Sequence, residues 1–211
     1  MLLRIIVLIL AYSLVVLSLQ AAYIGQFGYI VRHQYLWYFL SSLGVGGLAF
    51  WRWVSQASFY ATLKHELCHW FFGLLSLHKP HALQVNAHQG GSYQSREGRR
   101  NYFFMLSPYF FPITSYSLLL LSALFEGPTA AYYVLVGLAL AFDTVTMYKD
   151  YHLAQTDWQV YGTPFSVLFS VAMYILFLLS LLVLLLGTSY TDYCLDMWRL
   201  LGRWLAYLPL G

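Results

Sequence analysis

Six long apolar runs divide the chain, and they constrain its fold more than any other feature of the sequence. An α-helix needs about 20 apolar residues to cross the hydrocarbon core of a bilayer, and it satisfies its own backbone hydrogen bonds there. The sequence therefore predicts an all-α membrane protein with about six transmembrane helices, integral and multi-pass. The predicted spans are residues 1–23, 36–54, 57–77, 102–125, 129–149 and 164–187.

The composition agrees with this class and excludes others. Hydrophobic residues make up 60% of the chain and charged residues 9%, whereas a soluble domain carries about 25% charged residues. The net charge of +3 forms no basic tract, so we expect the lipid bilayer as a partner and no nucleic acid. The sequence indicates no particular oligomeric state.

The third apolar run contains the motif His65-Glu66-Leu67-Cys68-His69, which has the pattern H-E-x-x-H. Residues four apart share one face of a helix, so the two imidazoles can bind one metal ion, with Glu66 close to a water on that ion. Charged and metal-binding residues are costly inside a membrane span, which favours a functional site over two buried, hydrogen-bonded histidines. The motif therefore predicts a metal centre in which Glu66 is the catalytic base.

A catalytic zinc ion has three protein ligands and one open position for water. His65 and His69 supply two of them, and Asp157 is our first choice for the third because it directly precedes the last span. Asp157 could instead cap a helix, because aspartate is a favoured N-cap residue. Asp143 is the second choice, although an unpaired carboxylate inside a span is costly. The other candidates are Asp150, His81, His88 and His152.

A polar stretch after the motif carries Gly90-Gly91, which predicts a hairpin with residues 83–85 and Tyr93 in its strands. With six spans, this stretch, the end of the motif helix and Asp157 face the same side of the membrane. Positive charges favour that side as the cytoplasmic one. They are Arg32, Lys79, Arg96, Arg99, Arg100 and Lys149, against Arg4, Arg52, Arg199 and Arg203 on the other side.

With these features the chain resembles a minimal, divergent member of the site-2 protease family, the intramembrane zinc metalloproteases. The motif in a membrane helix, the Gly90-Gly91 loop and an aspartate before a later span carry the resemblance. It implies a core of three spans and cleavage of peptide bonds in or near the membrane segments of a protein substrate. It also implies a site open toward the cytosol and Asp157 as the last zinc ligand.

We therefore expect a single membrane domain, with a metalloprotease-like core at residues 57–187 and an amphipathic interfacial tail at residues 188–211. The expected function is a Zn²⁺-dependent endopeptidase in which Glu66 is catalytic and Gly90 and Gly91 bind the substrate by strand addition. The alternative is a non-catalytic, metal-binding membrane scaffold or transporter subunit. A haem protein is disfavoured, because two histidines on one helix face cannot bind opposite faces of a haem.

Overall fold

The computed structural model describes residues 1–54, 59–76, 80–86, 90–95, 101–122, 129–151, 156–187 and 189–206, with the backbone alone for 80–86, 90–95 and Thr156. The helices are α1 (Leu2–Ala21), α2 (Phe27–Arg32), α3 (Leu36–Trp53), α4 (Phe59–Leu75), α5 (Tyr102–Leu106), α6 (Ile113–Ser122), α7 (Ala130–Asp150), α8 (Thr156–Tyr161), α9 (Thr163–Leu186) and α10 (Tyr190–Ala206). A π-helical turn (Ala22–Gln26) joins α1 to α2, and a 3₁₀ turn (Ser107–Tyr109) follows α5. The strands are β1 (Pro80–Asn86) and β2 (Gly90–Ser95).

Three of the described helical segments are long and apolar enough to cross a membrane: Leu2–Arg32, Ala130–Asp150 and Thr163–Leu186. The α5–α6 pair adds a fourth if its two halves count as one span. The all-α membrane class is thus supported, while the count of six spans stays a prediction. The motif helix α4 falls outside this group because it has 17 described residues and carries charged and imidazole side chains.

The described residues form two compact units, a finer division than the single membrane domain that the sequence predicts. One unit comprises residues 1–36 and 171–211, and the other comprises residues 37–170. In the first unit α1 contacts α10, where the hydroxyls of Ser18 and Tyr193 are hydrogen-bonded. The predicted tail helix is α10, and its Tyr193 is buried against Ala21 and Val183. The second unit contains α3 to α8 and the complete motif.

A sharp bend interrupts the span predicted at residues 102–125, as its two prolines lead one to expect. The segments before and after the bend meet at 90°. Pro108 lies in the 3₁₀ turn and Pro112 directly precedes α6, and neither has a backbone N–H to continue a helix. Ser107 stabilises the bend by donating its hydroxyl to the carbonyl of Phe104 at 2.9 Å. The bend also places Tyr109 deep in the protein, with no exposed surface.

The buried carboxylate of Asp143 connects α7 to the start of α6. It accepts hydrogen bonds from the backbone N–H of Ser115 at 2.9 Å and from the Ser115 hydroxyl at 2.8 Å. The backbone N–H of Thr114 also points to it, at 3.4 Å. Nearby, buried Lys64 on α4 donates to the hydroxyl of Thr146 at 2.8 Å. Because the first N–H groups of a helix have no partner within it, Asp143 acts as an N-cap supplied by another helix.

We expect Asp143→Ala to lower the free energy of unfolding by about 3 kcal/mol, because the first turn of α6 loses its carboxylate acceptor inside the protein. Asp143→Asn keeps one carbonyl acceptor and should be milder. Chemical denaturation in mixed micelles measures both variants. Equal stability of wild type and Asp143→Ala would contradict the capping role.

Candidate metal centre

The two histidines of the motif lie on one face of α4, one turn apart. Their ring centroids are 5.1 Å apart, as their four-residue spacing predicts. Their side chains are 15% and 8% exposed for His65 and His69 respectively, so both lie inside the unit while remaining within reach of a small ligand.

Asp157 on α8 completes a cluster with this pair. Its Oδ2 atom lies 3.6 Å from Nε2 of His65 and 3.6 Å from Nε2 of His69. One ligand atom from each of the three residues lies within 4.8 Å of the others, and the group can hold a metal ion. Donors around tetrahedral zinc are about 3.3 Å apart, since each lies about 2.0 to 2.1 Å from the metal. The two distances to Asp157 are therefore close to those of a zinc site.

Helix α8, which carries Asp157, is separated from α9 by a single glycine. Helix α8 ends at Tyr161, and Gly162 has a φ of 87°, in the left-handed region that favours glycine. Trp158 is buried against the ring of Tyr109, with centroids 5.4 Å apart, and fixes α8 beside the bend.

Each member of the cluster also has a further polar partner, which for the two histidines lies on the Nδ1 side of the ring. His69 donates its Nδ1–H to the carbonyl of Phe104 at 3.0 Å. His65 Nδ1 lies 3.3 Å from Oδ2 of Asp150. Tyr109 donates its hydroxyl to Oδ2 of Asp157 at 3.0 Å, the same oxygen that faces the two Nε2 atoms. Because both imidazoles use Nδ1 for these contacts, both keep Nε2 for the side that Asp157 faces.

Glu66 lies beside the cluster and is 5% exposed. Its Oε2 atom has no hydrogen-bond partner among the described residues. Its carboxylate interacts electrostatically with His69, His65 and Asp157. A buried carboxylate oxygen is costly without a partner, so this atom suits a water or substrate molecule that binds at the cluster. Two imidazoles, a carboxylate and an unpartnered glutamate form a set of side chains that fits catalytic zinc.

The structure gives the other predicted ligands different surroundings. Asp143 caps α6 and is not in the cluster, and Asp150 contacts the Nδ1 side of His65. His81 lies in β1, for which the structure describes the backbone, while His88 and His152 lie outside the described residues. In the predicted hairpin, Gly90 pairs with Asn86 and Gly91 with Val85. Their role in substrate binding stays a prediction.

Sequence reasoning missed two of the contacts that surround the cluster. Tyr109 is one of 19 tyrosines, and aromatic residues in a membrane protein are commonly found at the membrane interfaces and in the core. No local pattern distinguishes Tyr109 from the other tyrosines, because its hydroxyl contacts a residue 48 positions away. The carbonyl of Phe104 has no signal in the sequence, since every residue has such a group.

Comparisons with protein-family models, curated proteins and solved structures found no match to this chain. The residues of the cluster and their geometry are therefore the basis for assigning a function.

Proposed function

We propose that this chain is a zinc-dependent intramembrane endopeptidase of the site-2 protease type. The observation that carries the proposal is the approach of Asp157 to within 3.6 Å of both Nε2 atoms, next to a buried glutamate. His65, His69 and Asp157 would hold the ion. Zinc bound there supplies Lewis acidity and lowers the pKa of a bound water to near neutral.

The side chains of the protein perform the remaining steps. Glu66 takes a proton from the attacking water and then donates it to the amine that leaves when the peptide bond breaks. The unpartnered Oε2 of Glu66 suits this transfer, because no protein donor among the described residues competes for it. Burial of the cluster keeps bulk water away and strengthens its electrostatic interactions.

The substrate class follows from the apolar character of the chain. We propose that the protein is multi-pass, with six spans, and that it cleaves peptide bonds in or near the membrane segments of another protein. The β1–β2 hairpin offers backbone groups at its edges, and an unwound substrate segment would bind there by strand addition near Gly90 and Gly91. The excess of positive charge on the motif's side of the chain supports a site that opens toward the cytoplasm.

Removing zinc is expected to stop cleavage, and restoring it to recover cleavage, because His65, His69 and Asp157 alone provide no Lewis acid. Protein in bilayer nanodiscs would be incubated with a set of single-span peptides, and fragments identified by mass spectrometry. The same samples would be treated with a chelator and then reloaded with zinc, with metal content measured at each step.

Full cleavage by protein shown to be free of zinc would contradict the proposal. Stoichiometric zinc without cleavage of any peptide would instead favour the alternative, a non-catalytic metal-binding scaffold or transporter subunit.

A further inference from the structure

Asp150 is the last residue of α7, and its carboxylate reaches the motif helix. Its Oδ2 atom lies 3.3 Å from Nδ1 of His65. The two side chains are 12% and 15% exposed for Asp150 and His65 respectively, so water competes little for this contact. The contact joins residues separated by 85 positions in the sequence, and with the hydrogen bond from Lys64 to Thr146 it links α7 to α4.

The stability of α7 does not account for an aspartate at this position. The C-terminal end of a helix carries a partial negative charge, so a carboxylate there is unfavourable. Lys149, directly before it, donates to the carbonyls of Trp51 and Val54 at the end of α3. Among the described residues, the contact with His65 is thus the favourable interaction that accounts for the Asp150 carboxylate.

The two aspartates near His65 face opposite nitrogens of its ring. Nε2 faces Asp157 at 3.6 Å, and Nδ1 faces Asp150 at 3.3 Å. An imidazole binds a given metal ion through one nitrogen only, so Asp150 lies on the side away from the metal. A carboxylate in that place accepts the Nδ1–H, fixes the tautomer and orients the ring.

We propose that Asp150 is a positioning residue that orients His65 and strengthens it as a zinc ligand. This inference builds on the proposed function, because it assumes that His65 binds zinc. His69 has a carbonyl in the corresponding place, that of Phe104, and substitution cannot remove a carbonyl. Of the two histidine partners, Asp150 is therefore the one that side-chain mutation can remove.

The test is a zinc competition titration against a chromophoric chelator, using the full chain in detergent. Asp150→Ala is expected to weaken zinc affinity about 10- to 100-fold, the usual effect of losing such a partner. Asp150→Asn should recover much of that loss, because its amide oxygen can still accept the Nδ1–H. Thermal unfolding of the zinc-free variants would be measured in parallel.

Asp143→Asn is the matched control, since it removes a carboxylate from the same helix outside the cluster. We expect Asp143→Asn to lower the stability of the protein and to leave its zinc affinity unchanged, whereas Asp150→Ala should weaken zinc affinity.

Unchanged zinc affinity in Asp150→Ala would overturn the inference, even if wild type binds zinc and cleaves peptides. Loss of zinc as complete as in a variant of Asp157 would also overturn it, because Asp150 would then be a ligand. A wild type that binds no zinc would overturn the proposed function itself, and the inference with it.

Discussion

Replacing Glu66 with glutamine is expected to abolish peptide cleavage while leaving zinc bound to the protein. Glutamine has the same shape, but its amide cannot accept the proton that the attacking water must lose. General acid–base catalysis contributes about 100- to 10,000-fold to rates, and a loss in that range is expected. Zinc content should not fall, because the cluster consists of His65, His69 and Asp157. Fragment analysis and metal analysis of one preparation measure both quantities.

Asp192→Asn is a suitable control for this experiment. It makes the same change from carboxylate to amide at an exposed position of α10, outside the cluster. This variant should cleave as wild type does. Retained cleavage by Glu66→Gln would refute the mechanism, while loss of zinc in that variant would make Glu66 a ligand instead of a base.

The local part of the site could be predicted from the sequence. A regular helix places residues four apart on one face, so the approach of His65 to His69 follows from the motif and the apolar run around it. The bend after Leu106 could also be predicted, because proline cannot continue a helix. In both cases the information lies within a few residues of the feature.

The third ligand could not be fixed in the same way, because it depends on contacts between distant helices. Burial cost ranked Asp143 below Asp157, yet Asp143 is fully buried in the structure. The N–H groups of Thr114 and Ser115 offset that cost, and they are available only because the chain breaks before α6. The sequence contains both prolines and the aspartate, but it does not show that Asp143 contacts the start of the helix that follows Pro112.

The same reason explains the uncertain number of spans. Hydropathy identifies a helix whose whole surface is apolar, such as α9, and it identifies α4 poorly. Lys64, Glu66 and His69 make α4 more polar, but all three are buried in the protein. Lys64 has its partner on α7 and His69 on α5, and hydropathy along one segment does not report such contacts.

Asp157→Asn is expected to remove zinc from the purified protein, with affinity reduced by more than about 100-fold, because a ligand matters more than the partner of a ligand. An amide oxygen is neutral and is a poor substitute for a carboxylate on zinc. In the wild type the Tyr109 hydroxyl donates to Asp157 at 3.0 Å. The substitution should preserve the fold, since the asparagine oxygen can still accept this hydrogen bond. Competition titration and metal analysis measure this loss.

His65→Ala should lose both zinc and cleavage, because it removes a proposed ligand. The same metal analysis, with fragment analysis beside it, measures both losses.

Asp143→Asn again separates ligand loss from general damage, because it changes a buried aspartate that caps α6. If Asp157→Asn keeps tightly bound zinc while Asp143→Asn loses it, the third ligand is Asp143 and the solution structure differs from the geometry described above. If His65→Ala retains full zinc, the motif does not bind the metal. With Asp157 as the ligand, zinc is lost in His65→Ala and Asp157→Asn. It is kept in Asp143→Asn and Glu66→Gln. A site with Asp143 as the third ligand would give the opposite result for the two aspartate variants.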